Sequence, residues 1–440
     1  MELNIHFQRL FNMVVSIGLT LLTLSLACTP KETPVNGFVQ VDGTEFRING
    51  EPYQFAGTNF WYGAYLGREG EEGNRERLKK ELDILVQNGI TNLRVLGASE
   101  QTDLENSLSP AFINEDGSIT EELLVGLDYL LAEMGKRDMK AVIFLNNFWE
   151  WSGGMSTWNE WYGLGPKIDP AKTGDWVGFM RFSAKFYTNE EVNAAYRKYI
   201  NDLINRTNTI TGERYIEDTA IMAWQLANEP RPGQGEESMK EVPAFVKWID
   251  ETAGYIKSLD PNHLVSSGNE GSMGSLGSME VFKEAHDTPN IDYLTFHMWA
   301  KNWSWYDAQN PEETFPQTKE NAVSYIKEHV QAARDLNKPI VMEEFGLGRD
   351  FERNERGTPV TYRDKYFKLV FDQVEQYPEL AGTNIWSWGG LGVAQNDDFW
   401  WKPGDPFVGD PPQEPQGLNS VFADDSTTLE IIKAHAERIK

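Results

Sequence analysis

Short apolar segments of strand length recur eight times along this chain, and helix-like segments separate most of them. The strand candidates cover residues 53–58, 91–96, 140–145, 221–227, 263–267, 291–296, 339–344 and 383–388. Helical periodicity is visible in residues 75–87, 121–136, 190–207, 242–258, 318–336, 362–375 and 426–440. Such alternation without an internal linker predicts parallel strands covered by helices. Eight repeats predict a single α/β domain, a (β/α)8 TIM barrel over residues 39–440.

Three further segments complete this prediction. Residues 39–47 alternate apolar and polar side chains before Asn49-Gly50, which predicts a small hairpin that closes the bottom of the barrel. Residues 146–188 are dense in Trp and Gly, and residues 268–277 are mostly small. Both of these segments are expected to be loops.

Two glutamates stand directly after buried strands. The run of residues 221–230 ends in Asn-Glu-Pro, and the run of residues 339–346 ends in Glu-Glu-Phe-Gly. Because the strand ends of a parallel barrel meet at its mouth, Glu229 and Glu344 are expected to face each other there. Retaining glycoside hydrolysis needs such a pair: an acid, whose pKa is raised by the charge of its neighbour, and an ionised nucleophile. Either motif alone is more often a solvated turn, so the inference depends on both.

The composition limits the partners of the protein. Lys and Arg number 40 and Asp and Glu 67, which gives a formal net charge of −27. No basic stripe is available for a phosphate backbone, so nucleic acid is not an expected partner, whereas a neutral substrate is tolerated. The 15 Trp, 16 Tyr and 23 Phe include rings that could stack on sugars. No metal-ligand spacing and no Gly-rich phosphate loop is present in the sequence, so neither a catalytic metal nor a cofactor is expected.

The N-terminal residues have the proportions of a secretory signal. Residues 11–27 are apolar but short for a membrane span, and the single cysteine, Cys28, follows Ser-Leu-Ala. This resembles a bacterial lipoprotein cleavage box. We therefore expect a signal peptide over residues 1–27, lipid on Cys28 and a tether over residues 28–38; the alternative is a plain secretory signal. The expected location is secreted, or a bacterial cell-surface or outer-membrane lipoprotein that touches the membrane only through its lipid.

Several stretches besides the two glutamates carry a family resemblance. They are NNFWEWSGG (146–154), FYT (186–188), RTNTITG (206–212), NHLV (262–265), GNEG (268–271) and EPQGLNSVF (414–422). Over residues 39–440 the chain is thereby similar to glycoside hydrolase family 5, and within it to the β-mannanase subfamily. The segment HMWAKNW (297–303) resembles a bacterial mannan-degrading branch that includes an exo-acting mannosidase.

The resemblance implies catalytic roles for matching residues. Glu229 would be the general acid/base and Glu344 the nucleophile. Arg94 would bind and orient Glu344 with a fixed positive charge. Since side chains alternate along a strand, Glu343 is expected to face away from Glu344 and to be structural.

The resemblance also implies substrate contacts. Asn228 would bond the substrate 2-hydroxyl, His297 would lie in the −1 subsite, and Trp386 would form the floor of that subsite. Trp388 is expected on the same side as Trp386 because the two alternate along one strand. Further substrate contacts are expected from Trp61, Asn147, Trp149 and Trp299. Relatives commonly carry Tyr at the position of Trp299, hydrogen-bonded to the nucleophile, and an indole N–H can donate but cannot accept.

These expectations describe a retaining endo-β-1,4-mannanase, expected to be a monomer, that cleaves mannan, glucomannan or galactomannan. An exo-β-mannosidase acting on manno-oligosaccharides and a β-1,4-glucanase or glucomannanase of the same family are enzymatic alternatives. A surface glycan-binding lipoprotein on an inactive barrel is a further alternative. The presence of both glutamates with Arg94 and Asn228 argues against that last one.

A substitution at Cys28 tests the lipoprotein hypothesis. If Cys28 carries lipid, the mature chain begins there and partitions into detergent, and Cys28→Ala should release it in soluble form. The checks are detergent phase partitioning and mass spectrometry of the N-terminus. An unmodified mature N-terminus downstream of Cys28 would contradict the hypothesis.

Overall fold

Eight parallel strands surround the centre of the molecule in the computed structural model, which describes residues 37–439. The strands are β4 (Phe55–Asn59), β5 (Ile90–Leu96), β6 (Lys140–Phe144), β7 (Ile221–Gln225), β8 (Leu264–Ser266), β9 (Leu294–Met298), β10 (Ile340–Phe345) and β11 (Leu380–Ile385). Hydrogen bonding orders them β8-β7-β6-β5-β4-β11-β10-β9, every pair parallel. The predicted (β/α)8 barrel is thereby confirmed.

The barrel closes irregularly between β8 and β9. The backbone N–H of Asp292 donates to the carbonyl of Val265 at 2.9 Å, and the N–H of His297 donates to the carbonyl of Glu270 at 3.1 Å. The first bond is made within the short strand β8, and the second is made beyond its end. They hold the seam together, so the ends of β8 and β9 stay close at the barrel mouth.

Helices form the outer layer and part of the mouth. They are α1 (Gly63–Gly67), α2 (Arg75–Gln87), α3 (Glu121–Gly135), α4 (Gly154–Trp161), α5 (Pro170–Thr173), α6 (Trp176–Ser183), α7 (Glu190–Ile204), α8 (Val242–Leu259), α9 (Met279–His286), α10 (Pro311–Leu336), α11 (Thr361–Val374) and α12 (Ser426–Arg438). The expectation of a plain loop over residues 146–188 was wrong, because α4, α5 and α6 lie within it. Helix α9 was also unexpected; it is short, and its stability depends on burying Phe282 and Ala285 more than on a periodic pattern.

An antiparallel sheet covers the bottom of the barrel, as the alternating residues predicted. It consists of β1 (Val39–Asp42), β2 (Glu45–Ile48) and β3 (Glu51–Tyr53). The ring of Phe46 packs 5.3 Å from that of Tyr293, and it joins an apolar cluster with Val39 and Met222. The hairpin therefore removes the apolar lower end of the barrel from water.

The segment after β11 leaves the barrel wall. Strand β12 (Trp388–Gly390) pairs with β13 (Val421–Phe422), and residues 391–420 extend between them over the mouth. The predicted strand over residues 383–388 therefore ends three residues early, at Ile385. Among residues 37–439, no helix is both long and apolar enough to span a membrane. The predicted signal peptide, Cys28 and most of the predicted tether lie outside the described residues.

Candidate functional site

Glu229 and Glu344 meet at the barrel mouth. Glu229 lies just beyond the end of β7, and Glu344 lies within the end of β10. One carboxylate oxygen of each lies within 4.8 Å of the other, and both side chains are buried. Glu229 has a φ of +50°, in the left-handed region that residues other than glycine seldom adopt. Its N–H donates to the carbonyl of Gly268 at 2.9 Å. This close separation resembles that of retaining glycosidases, whose two carboxyl groups lie about 5–5.5 Å apart.

The guanidinium of Arg94 lies under this pair, fully buried in the middle of β5. It contacts Glu344 Oε1 and donates from Nη2 to Asn228 Oδ1 at 2.8 Å. It also donates from Nε to Gln225 Oε1 at 2.8 Å and from Nη1 to Asn59 Oδ1 at 3.2 Å. The planar guanidinium therefore fixes the positions of both the Glu344 carboxylate and the Asn228 amide.

Glu343 points into the barrel as well, which corrects the expectation that it faces away. Both of its oxygens accept from Gln225 Nε2 at 2.8 Å, and Oε2 lies 3.5 Å from Arg94 Nε. The pairing of β10 with β9 shifts register between Met342 and Glu344. That irregularity breaks the strict alternation of side chains and places both glutamates on the interior side.

His297 stands among three carboxylates. Its Nδ1 lies 2.6 Å from Glu229 Oε1 and 3.3 Å from Glu344 Oε2, and its Nε2 lies 3.7 Å from Glu343 Oε2. Burial lowers the pKa of His297, but the charge of Glu344, the hydrogen bond to Glu229 and the proximity of Glu343 raise it well above its usual value. The imidazole is therefore held in its protonated form.

The pKa of Glu229 moves the opposite way from the sequence-based expectation. Burial raises this pKa, but the hydrogen bond and charge of His297, the charge of Arg231 and the indole N–H of Trp149 lower it to about 2. The expectation that Glu344 keeps Glu229 protonated is therefore wrong for this arrangement. The opposite pKa shifts of the two groups favour His297 as the holder of the shared proton, one short hydrogen bond from Glu229.

A pocket of about 620 Å³ opens above the pair. Its lining consists of Trp149, Trp151, Trp176, Asn228, Glu229, Arg231, Glu270, Trp299, Lys301, Asn302, Trp303, Glu344, Trp386, Gln413 and Glu414. Trp386 and Trp299 meet edge to face at 5.8 Å, and Trp149 Nε1 donates to Glu229 Oε2 at 2.5 Å. Six of the predicted residues thus line the pocket: Asn228, Glu229, Glu344, Trp149, Trp299 and Trp386. Arg94 and His297 lie beneath it and contact the two glutamates.

Some predicted contacts are indirect or absent. Trp61 is fully buried and donates from Nε1 to the carbonyl of Gly409 at 2.7 Å, so it supports the loop over the mouth and does not line the pocket. Asn147 is buried beneath the surface and accepts from Asn228 Nδ2 at 3.1 Å, so it orients Asn228. Trp388 is buried in β12, since the chain leaves β11 before it.

The Trp-rich segment divides between the pocket and the core. Trp149 and Trp151 line the pocket. Trp158 is buried and donates from Nε1 to Glu100 Oε1 at 2.8 Å, and its ring packs 5.4 Å from that of Trp161. Half of these four rings are therefore placed to meet a sugar.

Neither Arg231 nor Glu270 was predicted from the sequence, although Glu270 lies in a quoted stretch and Arg231 directly follows another. Arg231 follows the proline after Glu229, and Glu270 lies in the GNEG stretch. Their side chains contact each other, and Arg231 Nη2 lies 3.7 Å from Glu229 Oε2. Burial raises the pKa of Glu270 to about 7, although the charge of Arg231 opposes that rise. In the sequence, each of the two charged residues follows a turn-forming residue, Pro230 or Asn269, shortly after a predicted strand. That position was the signal that could have identified them.

Within residues 37–439, Glu229, His297 and Glu344 form the one trio of side chains whose donor atoms are close enough to hold a metal ion. Carboxylate and imidazole donors suit several divalent metals. The same atoms already pair with one another through the bonds of His297. That catalysis proceeds without a metal stays a prediction.

Comparison with known proteins places this geometry in a family. The family model described as GH family 5 beta-mannosidase-like matches residues 36–440. The chain is 32% identical over 400 residues to the "Probable mannan endo-1,4-beta-mannosidase A" of Aspergillus flavus, covering 86% of this chain and 89% of that protein.

Two solved structures are also similar. The glycoside hydrolase family 5 mannosidase of Rhizomucor miehei superposes with a TM-score of 0.83 at 35% identity, covering 92% of this chain and 97% of that one. The endo-β-1,4-mannanase of Thermotoga petrophila gives a TM-score of 0.65 at 25% identity, with coverages of 88% and 77%. With the match of the family model over nearly the whole chain, these similarities show that the protein belongs to the β-mannosidase-like branch of glycoside hydrolase family 5.

Proposed function

We propose that this protein is a retaining glycoside hydrolase that cleaves β-1,4-mannosidic bonds, with Glu344 as nucleophile and Glu229 as acid/base. The observation that carries the proposal is the close, buried pair of carboxylates, one in contact with Arg94 and the other with His297. The named activities of the Aspergillus and Rhizomucor relatives support β-mannosides as the substrate. A purely binding role would not require this arrangement.

The first chemical step uses both carboxylates. Glu344 Oε attacks the anomeric carbon, and the glycosidic oxygen leaves with a proton from Glu229. That proton reaches Glu229 from His297 Nδ1 along the 2.6 Å hydrogen bond. Asn228, whose Oδ1 is held by Arg94, presents its amide to the substrate hydroxyl beside the reacting carbon.

The second step reverses the proton movement. Once the glycosyl–enzyme ester has formed, Glu344 carries no charge, and His297, which has given up its proton, is neutral as well. Glu229 takes the proton of an incoming water and passes it back to His297, while the water oxygen attacks the anomeric carbon. The ester bond to Glu344 breaks, and the sugar leaves with retained configuration. His297 therefore loses its proton in the first half-reaction and regains it in the second.

The stereochemistry and the two glutamates test the mechanism. Glu344→Gln should abolish turnover on mannan, and Glu343→Gln is the matched control one residue away, for which a measurable rate is expected. Glu229→Ala should lower the rate most for substrates with poor leaving groups. Azide should partly restore the activity of this variant by forming a β-mannosyl azide. Proton NMR of the first product should show the β-anomer. An α-anomer formed first would rule out both roles. Activity on carboxymethylcellulose but not on mannan would show that the substrate is a β-glucan.

The dependence of activity on pH tests the role of His297. The raised pKa of His297 keeps the shared proton in the site through neutral pH, and activity should fall once the pH rises above that pKa. In His297→Asn, Glu229 must hold the proton alone beside the charge of Glu344. The alkaline limb of kcat/KM should therefore move to lower pH by about one unit or more. An unchanged alkaline limb would assign that limb to another group.

Exo action is a second candidate, favoured by the shape of the pocket near Glu344. Gln413 and Glu414, from the segment over the mouth, line the pocket together with Glu344. The backbone after them packs against Gly348, four residues beyond the nucleophile. A wall on this side leaves room for few sugars before the cleaved bond.

Buried contacts fix that wall in place. Asp410 accepts from the N–H of Gly417 and of Asn419, each at 2.8 Å, and Trp61 holds the carbonyl of Gly409. The structural similarity is stronger to the Rhizomucor protein, named a mannosidase, than to the Thermotoga protein, named an endo-mannanase, and this also favours exo action.

Product analysis separates exo from endo action. Mannopentaose labelled with ¹⁸O at the reducing end should yield unlabelled mannose and labelled mannotetraose first if the wall limits the enzyme to chain ends. Mannan viscosity should then fall slowly relative to the release of reducing ends. Early mannobiose and mannotriose with a rapid fall in viscosity would instead establish endo action.

A further inference from the structure

Trp176 is an exposed tryptophan at the rim of the pocket. It is the first residue of α6, its side chain is 42% exposed, and it lines the pocket. Its ring centroid lies 6.2 Å from that of Trp149 and 6.3 Å from that of Phe179. An apolar ring of this size left in water at a pocket edge is a common mark of a binding surface.

The ring is held in position without a ligand. Asp175 caps α6 by accepting from the N–H of Gly178 at 2.8 Å, which fixes the start of the helix. Phe179 is fully buried and stacks on Trp149 at 6.1 Å, so the helix is anchored one turn after Trp176. A ligand that packs on Trp176 would therefore lose little free energy in ordering it.

The position of Trp176 is on the leaving-group side of the site. Trp149 contacts Glu229, the proposed acid, through its indole N–H at 2.5 Å. The guanidinium of Arg231 lies 4.7 Å from the ring of Trp149, on the same side. Trp176 packs against Trp149 and is the more exposed of the two rings, which places it toward the outer rim of the pocket. Gln413 and Glu414, which line the same pocket together with Glu344, form the wall proposed above on the other side of the cleaved bond.

We propose that Trp176 is a stacking platform for the second sugar beyond the cleaved bond on the leaving-group side. The substrate class is then a linear β-1,4-manno-oligosaccharide of three or more sugars, and not a simple β-mannoside. This inference rests on the proposed function, because it assumes that Glu229 protonates the leaving group. Trp176 would then determine the preference for chain length, whereas Glu229 and Glu344 below it would carry out bond cleavage.

A chain-length series with matched variants tests this role. The substrates are an aryl β-mannoside, mannobiose, mannotriose and mannotetraose, and the measurement is kcat/KM. For the wild type, kcat/KM should rise between mannobiose and mannotriose. Trp176→Ala should lower kcat/KM for mannotriose and mannotetraose by about 10-fold, in the range of one aromatic contact. The aryl mannoside and mannobiose should be hydrolysed as by the wild type, and Trp176→Phe should restore most of the loss.

Val177 provides the matched control. It is 43% exposed on the same helix and is not among the pocket-lining side chains, so Val177→Ala should leave the whole series unchanged. An equal fall on all four substrates in Trp176→Ala would assign the ring a structural role and overturn the proposal. A wild-type series without a rise at mannotriose would overturn it too. Failure of the wild type on every β-mannoside would instead contradict the proposed function.

Discussion

The guanidinium of Arg94 is the group on which the site depends. A fully buried positive charge is costly unless hydrogen bonds and opposite charge surround it. Here its partners come from three other strands or their ends: Asn59 at the end of β4, Gln225 and Asn228 around the end of β7, and Glu344 on β10. Removing any one partner leaves part of that charge unsatisfied. The cost of burying Arg94 thus ties the position of the nucleophile to the closure of the barrel itself.

The same electrostatic arrangement explains where the proton is stored. Glu229, Glu343 and Glu344 bring three carboxylates against one imidazole, and Arg94 neutralises only part of their charge. His297 is the remaining group that can accept a proton and relieve the repulsion. In the proposed mechanism, the acid is a pair of residues that share one proton, so the proton belongs to the pair and not to either residue alone.

Much of this was readable from the sequence, and the exceptions have physical causes. Eight apolar strands predicted the barrel, and two strand-end glutamates predicted the pair of carboxylates at its mouth, because both depend on local pattern. The orientation of Glu343 depended on a register shift in β10, which a strict period of two cannot show. Trp61 and Trp149 look alike in the sequence, yet tertiary packing buries one and places the other beside Glu229. Arg231 and Trp176 gain their position only once distant loops are folded.

The way in which the chain enters the barrel has a practical consequence. Gly37 packs near Thr219, its carbonyl accepts from Lys140 Nζ at 3.2 Å, and the ring of Phe38 lies 5.0 Å from that of His263. These partners precede β6, β7 and β8 or begin them, so the chain enters at the face opposite the pocket. Attachment to a surface or resin through residues before Gly37 would turn the pocket outward. An insoluble polysaccharide could then reach an immobilised enzyme without the support standing in its way.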